Sequence, residues 1–355
     1  MMNHFQETAN NQDNVARHSY FLQSDDTEDE ASTPSDFKEI KKDVPKNIKK
    51  IRNFGRSQDY KTLKNKLLSR GQLFEDDKFP ADNSLLSDSG GNFYIRNQHG
   101  KMLVKLAEIK WLRPHEIARD PRMYVGKRDR FDVNQGEISD CWFLASLAHL
   151  ADDDEAFHRV VPGDQSFSRG KYCGMFRFRF FRFGEWVEIV VDDRLPTRNG
   201  KLIYLKAKED NEFWSPLLEK AYAKFYGSYK ALEGGKTIES AVDFTGGVPE
   251  RIDISNLKMR NKELLDLMTK ADSNNAFMFC SLSVSYTFSL CVSEILFSQK
   301  SRYKDEAERL GLQARHAYTI TKLTVVSSRN DSIPLIRMRN PQRDAKEWRG
   351  AWSDQ

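Results

Sequence analysis

Cys141 stands in Asp140-Cys141-Trp142-Phe143-Leu144, where the polar loop Gln135-Gly136-Glu137-Ile138-Ser139 gives way to an apolar run reaching Leu150. The apolar run predicts a helix that Asp140 or Ser139 can cap. A sulfur in its first turn lies at the positive end of the helix dipole, which favours thiolate over thiol. Gln135, six residues upstream and followed by Gly136, offers an amide donor on a loop able to fold back over the sulfur. Such a donor stabilises an oxyanion. The competing expectation is a core cysteine, because free thiols are among the most buried side chains and Trp-Phe-Leu follows directly.

A thiol nucleophile needs a base. Of seven histidines, His4 and His18 belong to a polar N-terminal stretch, and His99, His115, His149 and His158 have ordinary surface or core settings. His316 stands at the entrance to an alternating, β-branched run, Ala317 to Val326, that predicts a strand. A second such run, Leu335 to Arg339, stops at the turn signal Asn340-Pro341. Cys, His and Asn in this order resembles papain-like proteases, in which the sulfur attacks, the imidazole shuttles the proton and the amide orients the imidazole.

The elements that must position these groups are legible around them. Phe176-Arg-Phe-Arg-Phe180 has period two and could suggest an RNA-binding face. The simpler expectation is a half-buried hairpin, with Gly184 in the turn and Trp186 to Val191 as the returning strand. Ser215-Pro216 starts a helix whose Leu218, Ala221, Tyr222 and Phe225 recur at three- and four-residue steps, a core stripe rather than a cofactor site. Gly246-Gly247 separates a helical half from a strand-rich half and is expected to act as a hinge. Residues 1–70 carry the acidic block Ser24 to Glu30, the breakers Ser32-Thr-Pro-Ser-Asp36 and the basic block Lys41 to Lys50. Such segments bury too little apolar surface to offset ordering entropy, so a disordered extension is expected there.

From about Leu73 to Gln355 the chain resembles the protease core of the calpain family. The shared blocks are Gln135-Gly136 with Asp140-Cys141-Trp142, Gly184-Glu-Trp-Val187 with Val191-Asp-Asp193, and Asn211-Glu-Phe-Trp-Ser215 with Leu218-Glu-Lys-Ala-Tyr-Ala-Lys224. Asp243-Phe-Thr-Gly-Gly247, His316-Ala-Tyr318, Ile336-Arg-Met-Arg-Asn-Pro341, and Glu347-Trp348 with Trp352-Ser-Asp354 continue the pattern. The resemblance implies an α+β, papain-like two-lobe cysteine protease core behind a disordered N-terminal tail. A helical first lobe (71–246) would carry Cys141, and a β-rich second lobe (247–355) would carry His316 and Asn340. It also implies Cys141 as nucleophile, His316 as general base and acid, Asn340 as orienter and Gln135 as oxyanion donor. The extension would be a regulatory segment trimmed on activation.

The resemblance further implies calcium, which draws the two lobes together and takes several oxygen ligands. Asp132 and Glu212 match ligand positions on the first lobe, with backbone carbonyls near Val125 and Gly126. Lys127 stands where the pattern has glycine, so this loop is shifted. Glu347 and Asp354 match on the second lobe, where the remaining ligands would lie beyond Gln355. Three departures stand out. Gln342 follows Pro341 in place of the family's tryptophan, which lowers apolar shielding of the His316–Asn340 pair. Val284 to Gln299 has no counterpart and is expected to be an insertion of the kind splicing produces, its serines arguing against a membrane span. The regulatory domains usual in calpains do not follow, so a short form or a fragment is expected.

Composition fits an intracellular enzyme. Net charge is only +4 on 56 basic and 52 acidic residues, so no global field marks a nucleic-acid binder. Cysteines at 141, 173, 280 and 291 form no Cys-x-x-Cys pair or zinc spacing, and the N-terminus lacks a signal peptide's apolar core. The expected function is a cytoplasmic, calcium-regulated cysteine endopeptidase making limited cuts in protein substrates. The basic block would add weak attraction to acidic membrane surfaces. The alternative is a catalytically weak calpain-like binding protein.

Overall fold

The computed structural model describes residues 18–22, 60–86, 92–97, 100–126, 128, 130–134, 136, 140–252, 261–281, 302–313, 316–327, 332–341 and 348–353. The chain opens with β1 (His18–Leu22), α1 (Tyr60–Arg70), β2 (Asn92–Asn97), β3 (Gly100–Lys105), β4 (Ile109–Leu112) and the short α2 (Pro114–Ile117). The helices α3 (Cys141–Asp152) and α4 (Asp154–Val160) lead to β5 (Met175–Arg182), β6 (Glu185–Asp192), β7 (Leu195–Arg198) and β8 (Lys201–Leu202). Then come α5 (Trp214–Tyr226), α6 (Thr237–Thr245), β9 (Val248–Ile252), α7 (Asn261–Ser273), β10 (Phe277–Ser281), α8 (Arg302–Arg309), β11 (Ala317–Ser327) and β12 (Ser332–Arg339). Most helices lie before Gly246 and four of the five strands of the main sheet follow it, the α+β layout expected.

The helix α3 is apolar on every side, and Trp142 to Ala148 are all buried, as a helix at the centre of a core must be. It stops at Asp153, whose carboxylate accepts the Ala156 N–H at 2.9 Å and so caps α4. Around α3 pack Tyr222 and Phe244, from α5 and α6, with Phe143 and Tyr222 stacked at 4.6 Å between centroids. The stripe Leu218, Ala221, Tyr222 and Phe225 is buried in α5 as its spacing predicts.

The Phe-Arg repeat is a hairpin. β5 and β6 pair antiparallel from Met175–Asp192 to Arg182–Glu185, and Phe183 and Gly184 both take positive φ, the requirement of a type I′ turn. Phe176, Phe178 and Phe180 are buried in the main core. Arg177 is also buried and is held by Asp164 at 2.9 Å and Glu188 at 3.1 Å. That guanidinium is matched within the fold.

Two lysines of α5 run inward, against the usual exposure of this residue type. Lys220 meets Asp192 Oδ1 and the Arg194 carbonyl, each at 2.6 Å, and Lys224 meets Asp76 Oδ2 and the Val190 carbonyl, each at 2.7 Å. Lys220 and the Arg194 guanidinium hold the Asp192 carboxyl down at about 2 against the opposing effect of burial. These bonds pin α5 to β6.

The five-stranded sheet has the order β12-β11-β10-β1-β9. β10, β11 and β12 are antiparallel neighbours, while β1 lies between β9 and β10, parallel to both. The segment His18–Leu22, within the span expected to be a tail, thus adds a strand, and α1 begins at Tyr60, before the expected boundary near residue 70. Gly246 ends α6 with φ 68°, and Gly247 donates to Thr245 Oγ1 at 3.0 Å before β9 starts. Sheet and helices share apolar packing: Phe277, Phe279 and Ala317 belong to the same core as α3. Residues 284–299, the expected insertion, lie outside the described residues.

Candidate active site

Cys141 opens α3, and the strand β11 begins with Ala317 directly opposite it, so that the Ala317 N–H donates toward the Cys141 sulfur. His316 therefore immediately precedes the residue that touches the thiol. His316 is buried, and its Nε2 lies 2.6 Å from Asn340 Oδ1. Asn340 directly follows β12, which pairs antiparallel with β11, so strand pairing brings two residues 24 positions apart into hydrogen-bond contact. A T-shaped contact between the rings of His316 and Tyr318 at 5.0 Å, and the Gln313 N–H donated to Tyr318 Oη at 2.8 Å, hold the turn before the histidine.

The N–H groups at the start of α3 do favour the thiolate, as the position of Cys141 suggested, but they are outweighed. Burial pushes the Cys141 pKa up and the Asp140 charge adds to the rise, outweighing the N–H groups of Ala317, Trp142 and Cys141 itself. Asp140 holds the N-cap position through its carbonyl, which accepts from Phe143 N at 2.9 Å and Leu144 N at 3.1 Å. Its side chain makes no cap hydrogen bond. Glu219 of α5 is buried as well, and burial, with the Asp140 charge adding to it, pushes the Glu219 carboxyl up.

Gln135 lies outside the described residues, but both of its neighbours are anchored. Asn134 exchanges two backbone hydrogen bonds with Lys206, at 3.1 and 3.2 Å. Gly136 is pressed against the backbone of Tyr204, where any Cβ would overlap the Tyr204 carbonyl. Arg339, one residue before Asn340, donates from Nη2 to the Val133 carbonyl at 2.8 Å. The loop bearing Gln135 is thus tied to the strand bearing Asn340. Beside the cysteine, Trp142 Nε1 donates to the Leu232 carbonyl at 3.0 Å and its ring covers Gly235 so closely that a Cβ there would overlap it.

Of the expected calcium ligands, Asp132 and Glu212 are buried. Glu212 accepts the Val125 N–H at 2.9 Å through Oε2 and the Trp214 Nε1–H at 2.6 Å through Oε1. Val125 therefore presents its N–H, rather than its carbonyl, to the carboxylate. Burial pushes the Glu212 carboxyl up to about 7, with the neighbouring Asp132 adding to the rise. Gly126 follows with φ 73°, a turn that suits glycine. Two buried carboxylates that repel one another beside a loop suit an oxygen-seeking cation. Among the described residues no group of three or more His, Cys, Asp or Glu gathers to hold a metal. Glu347 and Asp354 lie outside the described residues, as do Lys127 and Gln342.

Glu219 escaped the sequence reading, yet its spacing carried the signal. It follows Leu218 and precedes Tyr222 by three residues, which places it on the buried face of α5. No described helix is long and apolar enough to cross a membrane.

Comparison with known proteins places the chain in a family. The family model described as "Calpain family cysteine protease" matches residues 74–355. Calpain-A of Drosophila melanogaster is 45% identical over 301 residues, covering 84% of this chain and 32% of that protein. Calpain-8 of Homo sapiens is 42% identical over 297 residues, covering 84% of this chain and 38% of its own length. The Calpain-2 catalytic subunit of Mus musculus is 41% identical over 298 residues, covering 84% and 39%. The chain spans roughly a third of the length of these relatives. It belongs to the calpain family of cysteine proteases.

Proposed function

We propose that this chain is a calcium-regulated cysteine endopeptidase that cuts cytosolic proteins at limited sites through Cys141, His316 and Asn340. The observation that carries the reading is the 2.6 Å bond between His316 Nε2 and Asn340 Oδ1 on the strand that meets the sulfur. With Nε2–H given to the amide oxygen, Nδ1 is the nitrogen that exchanges a proton with the thiol. Proton transfer from Cys141 to His316 produces thiolate and imidazolium together, which offsets the burial that favours the neutral thiol. The thiolate attacks the peptide carbonyl carbon, and the amide of Gln135 donates to the resulting oxyanion. As the C–N bond breaks, the imidazolium gives its proton to the departing amine and a thioester remains on Cys141. His316 then takes a proton from water, the hydroxide attacks the thioester, and Cys141 regains its proton as the acid product leaves.

Calcium would be held by the carboxylates of Asp132 and Glu212 with backbone oxygens of the Val125–Gly126 loop. Its charge would neutralise two mutually repelling buried acids and stiffen that loop. Asp132 also offers its carbonyl to Ser215 Oγ at 3.1 Å, so ordering it is felt at the start of α5. Labelling with a mechanism-based thiol alkylator tests the reading. Calcium-stimulated modification of Cys141, abolished in Cys141→Ala and accompanied by casein cleavage, is expected. Folded protein that takes no label and cuts nothing points to the alternative, a binding protein that keeps the groove without turnover.

A further inference from the structure

Asp243 lies buried in the last turn of α6, with its carboxylate turned to α5. Its Oδ2 accepts the hydroxyls of Tyr222 and Tyr226, each at 2.8 Å, and stands 3.7 Å from the Arg182 guanidinium of β5. Both tyrosine rings lie against the indole of Trp142, in each case at 5.9 Å between centroids. The same helix holds residue 142 a second time, one turn earlier, where Ser240 Oγ donates to the Trp142 carbonyl at 3.1 Å. Trp142 directly follows Cys141. Its indole is buried, bonded through Nε1 to the Leu232 carbonyl and pressed against Gly235, so it has no space in which to turn by itself. A displacement of the rings behind it is therefore passed to the first turn of α3.

We propose that Asp243 is a positioning residue for Cys141: its carboxylate aligns the tyrosine wall behind the Trp142 indole, and the indole fixes the helix turn that opens with the thiol. The inference rests on Cys141 being the reactive thiol. The charged and titratable groups facing Asp243 are Arg182 from β5, Tyr222 and Tyr226 from α5, and Glu239 one turn earlier on its own helix. Burial raises the Asp243 pKa from 3.8 to about 6, the guanidinium and the two hydroxyls opposing the rise and Glu239 adding to it. At neutral pH the carboxylate is charged, and a proton arriving near pH 6 removes the charge that draws both hydroxyls. Hydrogen bonds to a neutral acid are about half as strong as those to its anion, so the wall loosens as pH falls. Stability has the opposite sign. A carboxyl whose folded pKa is raised stabilises most below its unfolded pKa, and that contribution is lost as pH rises through about 6. Neutralising Asp243 therefore leaves the fold no weaker at neutral pH, and a loss of thiol reactivity there is not a loss of folding.

Asp243→Asn removes the charge and keeps one acceptor oxygen. Alkylation of Cys141 by iodoacetamide, followed by mass spectrometry against pH, gives a ratio of wild-type to variant rates in which the titration of Cys141 and His316 themselves is common to both. The ratio should be near one at about pH 5 and reach about tenfold at about pH 7.5, less than the roughly hundredfold cost of a full misplacement by about 1 Å. Its midpoint should fall at about 6. A side chain that merely supports the fold would give a ratio that does not change with pH. The double variant Tyr222→Phe and Tyr226→Phe keeps both rings and deletes both donors, and it should show the same step if Asp243→Asn fails to fold. The fluorine resonance of 5-fluorotryptophan at position 142, assigned by its absence from Trp142→Phe, supplies a measure independent of reactivity. It should shift between about pH 5 and about pH 7 in wild type and in Cys141→Ala, and stay fixed in Asp243→Asn. A ratio that is the same at every pH, or a Trp142 resonance that does not move, overturns the proposal. Wild-type protein whose Cys141 resists alkylation at every pH would instead remove the protease reading, while the fluorine shift still decides whether Asp243 sets the indole.

Discussion

Thr319 Oγ1 donates to the Ala145 carbonyl at 2.9 Å, joining β11 at its third residue to α3 at its fifth. One end of the joined pair carries His316 and the other carries Cys141, so this bond sets the register of base against nucleophile. Thr319 is buried, and Thr319→Val removes the donor while preserving shape. A net loss of about 1–2 kcal/mol in stability is expected by chemical denaturation, the value of one buried hydrogen bond and its unpaired partner. The rate of Cys141 alkylation should fall by more than that destabilisation explains. Equal alkylation in folded wild type and variant would show that the bond does not hold the register.

Asn340 Oδ1 is bonded to the imidazole, so its removal separates orientation from nucleophilicity. Asn340→Ala leaves Cys141 intact but frees the ring that Nε2 now tethers. Turnover of a peptide substrate should drop by about 100-fold, within the range ascribed to positioned acid–base groups, with a smaller change in KM. An unchanged kcat would mean that the 2.6 Å contact is structural.

His149 gives the sheet-to-helix contact a sign with respect to acid. It stacks on Phe277 at 4.8 Å and accepts the Met278 N–H at 3.2 Å through Nε2, a role only the neutral ring can play. Burial lowers its pKa from 6.5 to about 4. The folded state thus binds this proton more weakly than the unfolded chain. Its contribution is fully present above about 6.5 and is lost as pH falls toward 4. His149→Gln retains an acceptor for Met278 and cannot be protonated. Denaturation curves at neutral pH and near pH 4.5 should show the variant losing about 1–3 kcal/mol less on acidification. Parallel losses would remove His149 from the acid response.

The buried pair Asp132 and Glu212 predicts a response to calcium in this chain alone. Saturating calcium should raise wild-type stability by about 2–3 kcal/mol at a hundred times its dissociation constant. Glu212→Gln keeps an acceptor oxygen for only one of Val125 and Trp214 and deletes one charged oxygen donor, so its calcium-free stability should be lower and the calcium-dependent part of the stabilisation should vanish. Identical shifts in both proteins would place any calcium elsewhere.

Periodicity and breakers made much of this legible. The apolar run after Cys141, the Phe-Arg alternation of β5 and the stripe of α5 each carry their burial in their spacing. Asn340 was legible because Asn-Pro ends a β-branched run, and its contact with His316 follows from pairing the two predicted strands. What spacing conceals is the company a polar residue keeps. Asp140 looks like a side-chain cap, yet its carbonyl does the capping, and the rise in the Cys141 pKa follows from burial with the Asp140 charge adding to it. Lys220 and Lys224 look like a solvated face because their partners, Asp192 and Asp76, are remote in sequence. The strand His18–Leu22 sits among polar residues whose composition argues against order, and its neighbours β9 and β10 lie more than two hundred residues away.

Gly136 shows how closely the oxyanion loop is fitted and yields the sharpest geometric test. Its Cα stands where any side chain would drive into the Tyr204 backbone, and Tyr204 is itself fixed by stacking on Tyr229 at 4.6 Å. Gly136→Ala must therefore move the loop rather than the wall, and the loop carries Gln135 at the adjoining position. Because the displaced group acts on the transition state, kcat should fall by about 100-fold or more, as when an oxyanion donor is withdrawn, with thiol alkylation much less affected. Gly163→Ala serves as the matched control. Its nearest neighbour, His158 Nδ1, would lie 3.9 Å from the added methyl, an ordinary contact that costs nothing. Full activity in Gly136→Ala would mean that the loop yields without moving Gln135, and the amide would then have no claim on the oxyanion.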